Sequence, residues 1–186
     1  MTVGLYIRIP INQSMPELRV WFYDPSQDSE GMLNKLVASL DSPFCHVELQ
    51  FADGCACSIY MGSEVTMKVR GFSSPSYTCV SIPCSLTQES RARSFAEIQT
   101  SNRVQFSTLQ MSSCVTWFQA TNDPAKTFCS KLVSEALQAA DIIPHTINSR
   151  QISPSALYRL IKPIAESRAV THNNQRVQAI DFKPTA

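Results

Sequence analysis

His46 and Cys129 are the two side chains in this chain whose settings suit nucleophilic chemistry. His46 opens an apolar and polar alternation, in which Glu48 and Gln50 share its face of a strand while Val47, Leu49 and Phe51 turn the other way. Cys129 falls in the first turn or two of a helix following Asp123 or Thr127, where backbone N–H groups lack intrahelical partners and the dipole favours an anion. A thiol there is drawn toward the thiolate, and an imidazole within reach completes its activation. The amide of Cys129 adds a donor for an oxyanion during acyl transfer. Each half also has an ordinary structural reading. A solvated sheet face alternates in the same way, and a free cysteine on an amphipathic helix is commonly a small buried hydrophobe. His145, in a loop beside Pro144, and His172, near the C-terminus, have no comparable setting.

The elements that must bring these residues together are legible as patterns. Val3 to Ile9 and Leu18 to Tyr23 are short runs rich in β-branched and aromatic residues, and predict strands. Ser29 to Leu40 carries Met32, Leu33, Leu36, Val37 and Leu40 at helical spacing. Phe44 to Phe51 and Cys55 to Met61 flank Asp53-Gly54, a hairpin signal, and Val65 to Val69 and Tyr77 to Ile82 extend the series, so four strands in a meander are expected. A polar helix is expected over Thr87 to Thr100, with Thr87 as cap and Glu89 paired to Arg93. Asp123-Pro124 predicts a helix start reaching to about Ile142, and Ser153-Pro154 a short last helix. The fold class is therefore α+β, an antiparallel meander packed against a cysteine-bearing helix. One domain over 1–165 and a mobile polar tail over 166–186 complete it.

Composition bounds the function. At 186 residues and 44% hydrophobic content, the chain buries a core without help from disulfides or a structural metal. Sixteen Lys and Arg against 15 Asp and Glu give a charge of +1, which gives no support to a nucleic-acid partner. Seven cysteines with no CxxC pair, and an N-terminus lacking the signal-peptide pattern, predict free thiols and a cytoplasmic protein. No run approaches the roughly 18 apolar residues of a membrane span. Cys55 and Cys57, with Cys45 and His46 across the hairpin, outline a zinc site, but the one-residue spacing is short for paired ligands, so no metal or other cofactor is expected. Trp117 and Phe118, with Phe128 and Tyr158, read as core or as an apolar groove beside Cys129. Lys131 reads as positive potential near the thiolate or as a surface lysine.

Taken together, Ser42-Pro43-Phe44-Cys45-His46-Val47-Glu48-Leu49-Gln50-Phe51-Ala52-Asp53-Gly54, Thr127-Phe128-Cys129-Ser130-Lys131-Leu132-Val133-Ser134-Glu135-Ala136-Leu137 and Ser153-Pro154-Ser155-Ala156-Leu157-Tyr158 resemble the circularly permuted papain-fold thiol hydrolases of the NlpC superfamily. That group includes YiiX-like and lecithin:retinol acyltransferase-like members and proteins of phages and large DNA viruses. The resemblance covers about residues 30 to 160, with the histidine strand ahead of the cysteine helix, and Cys45 stands where the family has a small residue. It implies Cys129 as nucleophile, His46 as base and a third polar residue orienting the ring. Glu48 on the same strand and Ser58 on the next are the leading choices for that role, ahead of Tyr60 and Glu64, and a dyad without a third member stays open. It further implies cleavage of an amide in a peptide or protein conjugate. The alternatives are acyl transfer on a lipid or a non-catalytic interaction module of the same fold.

Overall fold

The computed structural model describes residues 15–27, 41–112 and 123–181. The expected strand over Val3 to Ile9, the helix over Ser29 to Leu40, and Cys114, Trp117 and Phe118 lie outside the described residues. A five-stranded antiparallel sheet is built from β1 (Glu17–Tyr23), β2 (His46–Gln50), β3 (Cys55–Ser58), β4 (Thr66–Val69) and β5 (Tyr77–Pro83), in the spatial order β4-β3-β2-β1-β5. The hairpin at Asp53-Gly54 forms as its residues dictate. Gly54 takes φ +84°, a conformation that costs glycine little, and Asp53 Oδ1 accepts the Cys55 amide at 3.0 Å.

The strand order corrects the expected meander. β5 does not continue from β4. It crosses the sheet and pairs with β1, placing Tyr77 opposite Tyr23 and Val80 opposite Val20. Adjacency in sequence suggested the simpler order, but β1 precedes the hairpin and leaves a free edge that the apolar β5 fills.

Alternation then separates the two sheet faces. Leu18, Val20 and Phe22, Val47, Leu49 and Phe51, and Val80 and Ile82 form a buried face. On it lie α3 (Cys129–Ala139), through Leu132, Val133, Ala136 and Leu137, and α4 (Pro154–Asp181), through Leu157, Ile161 and Ala165. Those residues recur at three- and four-residue intervals, which puts each set on one helical stripe. Phe128 is fully buried, and Tyr158 joins Phe22 and Phe44 in an aromatic cluster with centroids 4.9–5.3 Å apart, so both belong to the core and not to a groove.

The helices depart from their expected bounds for local reasons. The first, α1 (Leu86–Ser101), begins on a Ser85-to-Gln88 capping box, so its cap lies two residues ahead of the expected Thr87. Glu89 and Arg93 do not pair with each other. Glu89 accepts the Ala52 amide at 2.9 Å and Arg93 binds Asp53 at 2.8 Å, so both hold the β2–β3 turn. Between α1 and α3 come β6 (Gln105–Phe106), α2 (Thr108–Ser112) and β7 (Lys126–Thr127), with β6 and β7 paired in parallel.

Asp123-Pro124 does not start a helix. Asp123 Oδ1 accepts the Ala125 amide at 3.0 Å and its carbonyl accepts the Lys126 amide at 3.1 Å, which closes a turn and sends the chain into β7. Helix α3 therefore begins at Cys129, and it stops at Ala139, before Asp141 takes φ +52°. Ser153 caps α4 as expected, accepting the Ala156 amide at 3.0 Å. That helix is not short: it runs on through residues 166–181, where a tail was expected, and Arg168 reaches the Pro83 carbonyl at 3.3 Å.

Two serines fasten the ends of the site-bearing elements. Ser155, on α4, accepts the Phe44 amide at 3.0 Å and donates to the Asp41 carbonyl at 2.7 Å, fixing the approach to β2. Ser130, next to Cys129, donates to the Ile152 carbonyl at 2.7 Å and fixes the start of α3. Both are buried, so each bond is shielded from water.

Candidate active site

Cys129 is the first residue of α3. Phe128 precedes it in extended conformation and supplies no side-chain cap, so the leading amides of the helix carry no side-chain acceptor from the cap position. The sulfur stands at the positive end of an eleven-residue helix and is almost wholly buried, 4% exposed. His46 is the first residue of β2, the strand against which α3 packs. The two side chains are near enough for the charge of Cys129 to act on the imidazole, and Nε2 of the ring lies 3.5 Å from Glu48 Oε1.

Burial alone pushes the His46 imidazole down. The proximity and charge of Cys129 and Glu48 outweigh it and raise the ring's pKa to about 9. Burial likewise pushes Glu48 up, but His46, Tyr60 and Arg70 hold it below its ordinary value, so it is a buried carboxylate. Burial raises the thiol of Cys45 to about 12, assisted by the charge of Cys129, that of Cys57 to about 12, and that of Cys84, at the far end of β1, to about 11.

The histidine shift has a consequence for stability. A pKa raised from 6.5 to about 9 on folding means the native state binds the proton more tightly. The resulting stabilisation is fully present below pH 6.5 and is lost as pH rises through about 9. Urea unfolding of the wild type and of His46→Asn should therefore differ most at pH 6, with the gap closing by pH 10. A gap that widens with pH contradicts this assignment.

Around Glu48 the structure assembles Tyr60, one of the lesser choices for the third role, together with Arg70, Phe72 and Tyr77, which the motif pattern did not single out. Tyr60 donates to Glu48 Oε1 at 2.7 Å, and its ring stacks on His46 with centroids 4.7 Å apart. Arg70 Nη1 lies 2.8 Å from Oε1 and 3.1 Å from Oε2, also contacts the Tyr60 hydroxyl, and through Nη2 donates to the Tyr77 hydroxyl at 3.0 Å. Its guanidinium lies 5.0 Å from the Phe72 ring centroid, and Phe72 stacks on Trp21. Gln50 anchors the backbone beneath, donating to the Arg70 carbonyl at 2.8 Å and accepting from Trp21 Nε1 at 3.0 Å. The shared strand face of His46, Glu48 and Gln50 pointed to this side of the sheet. Arg70 lies just past β4, where nothing in its local sequence marks it.

The other candidates fall into place. Ser58 follows Cys57, the partner of Leu49, and so lies beside Glu48, but its buried hydroxyl has no hydrogen-bond partner among the described residues and does not orient His46. Glu64 binds Arg103 at 2.9 Å and is occupied away from the ring. Lys131 is buried, bonded to Gln110 Oε1 and to the Lys126 carbonyl, each at 3.2 Å, so it ties α3 to α2 and β7 and is not a surface lysine. His145 faces Asp141 at 3.4 Å on the exposed surface. Among the described residues no three His, Cys, Asp or Glu side chains are grouped to hold a metal, six cysteines are free, and no helix is long and apolar enough to cross a membrane.

Comparison with family models, curated proteins and solved structures finds no match.

Proposed function

We propose that this protein is a cysteine hydrolase that cleaves an amide bond, in a peptide or a protein conjugate, through acyl transfer to Cys129. The observation that carries the reading is the placement of Cys129, at the N-terminus of a helix packed on the His46 strand, within electrostatic reach of the His46 imidazole. In the first step the sulfur attacks the carbonyl carbon, and the amides at the head of α3 stabilise the oxyanion. Imidazolium at His46 then gives its proton to the leaving amine as the C–N bond breaks. In the second step His46 takes a proton from water, which attacks the thioester and releases the acid and the free thiol. With Nε2 turned to Glu48, Nδ1 is the nitrogen this mechanism assigns to the sulfur. Glu48 fixes the ring and stabilises its charged form, as a carboxylate does in the serine-hydrolase arrangement. A permuted papain-like fold of the NlpC superfamily accommodates this order of histidine strand and cysteine helix.

The experiment is turnover on three substrate panels, peptides, ubiquitin-type conjugates and phospholipids, with Cys129→Ala alongside. Amide cleavage by the wild type and none by the variant is the expected result. Turnover confined to phospholipids, or activity that survives loss of Cys129, overturns the amide-hydrolase assignment.

A further inference from the structure

The three contacts on Glu48 Oε1 are unequal. Tyr60 donates to it at 2.7 Å and Arg70 lies at 2.8 Å, whereas His46 Nε2 stands off at 3.5 Å and, although buried, completes no hydrogen bond. Arg70 also engages Oε2 at 3.1 Å, so both carboxylate oxygens are committed to it. The guanidinium is itself held in place by the Tyr77 hydroxyl at 3.0 Å, by the Phe72 ring, and by a backbone latched to Gln50. The arrangement holds the carboxylate back from the imidazole.

We propose that Arg70, aided by Tyr60, is a positioning residue that restrains Glu48, so that Glu48 orients His46 without closing on it as a full ion pair. The inference rests on the cysteine-hydrolase reading and deepens it. A ring that must accept a proton in one step and return it in the next works best when its affinity for that proton is moderate. His46 sits between a sulfur that becomes anionic and a buried carboxylate, and two unopposed anions would hold its proton too firmly. Arg70 offsets one of them. Its cation also repels imidazolium directly, so geometry and charge act in the same direction.

The charged and titratable groups facing this pair come from every neighbouring element. They are Cys129 on α3, Tyr60 after β3, Arg70 after β4, Tyr77 on β5 and Cys57 on β3, which pairs with Leu49 on the other sheet face but lies within electrostatic reach of Glu48. Cys45 lies beside His46 in sequence, and Asp24, following β1, acts on Cys45. Among the described residues, Arg70 is the cation in direct contact with Glu48 that keeps its charge throughout the working pH range.

The test is the titration of His46 followed by histidine-selective NMR, which has only three imidazoles to resolve. In Arg70→Gln the His46 midpoint should rise by about one pH unit, a tenfold gain in proton affinity. Arg70→Lys, which restores the charge, should bring it back toward the wild-type value, a response that loss of packing alone does not produce. Tyr60→Phe keeps the stacked ring, removes one donor to Oε1, and should raise the midpoint by a smaller amount, which keeps the proposal testable if the Arg70 variants fold poorly. A midpoint that stays or falls in Arg70→Gln, or in Tyr60→Phe where that variant alone folds, overturns the proposal. The titration is read without turnover, so absence of hydrolysis counts against the hydrolase reading and leaves this test standing.

Discussion

Replacing His46 by alanine should slow acylation of Cys129 at pH 7 by about two to four orders of magnitude, the range that positioned acid–base groups contribute. The size follows from the ring's several duties. In the proposed mechanism it holds the proton taken from the thiol and gives it to the leaving group, and its raised pKa of about 9 keeps it charged at neutral pH. Glu48 cannot take over, because Arg70 and Tyr60 occupy its oxygens and its contact with His46 is the longest of the three. Stopped-flow acylation by an activated ester, read on the wild type and on His46→Ala, checks this. The folded state of the variant is confirmed separately, since His46 also stacks on Tyr60.

Phe128→Ala should have the largest effect on stability, costing about 3–5 kcal/mol for loss of a buried aromatic ring. For a chain of this length that lowers Tm by between about 6 and 20 °C. Phe128 is fully buried and occupies the cap position of α3 without a capping side chain, so the burial of its ring, with the Ser130 bond to Ile152, locates the helix start. Opening a void there loosens the first turn and with it the position of Cys129. Thermal unfolding and the acylation rate should therefore fall together in this variant. Leu86→Ala, at an exposed site, should leave both unchanged.

The hairpin, the shared face of His46, Glu48 and Gln50, and the capped start of α4 were legible because each depends on neighbours within a few residues. Asp53-Gly54 carries its own turn chemistry, and strand alternation places Glu48 beside His46 whatever the rest of the chain does. What escaped depends on distant partners. Asp-Pro is compatible with a turn as readily as with a helix start, and pairing of β7 with β6 decides it at Asp123. The crossover of β5 to β1 answers a free edge that no local pattern announces. Arg70 became part of the site because β4 pairs with β3, and β3 with β2, bringing a residue 22 positions away onto Glu48. Glu89 and Arg93 had helical spacing for a pair with each other, yet the β2–β3 turn offered each a better partner.

Selective acylation among the cysteines tests the central claim most directly, because the account makes the Cys129 sulfur and the His46 imidazole one reactive unit. The intact protein is treated at pH 7 with a substoichiometric thiol-directed acylating probe, digested and mapped by mass spectrometry across all seven cysteines. Cys45 and Cys57, both raised to about 12 by burial, should stay unmodified. The label should fall on Cys129 and slow sharply in His46→Ala. Equal labelling of several cysteines, indifferent to the histidine substitution, contradicts the account.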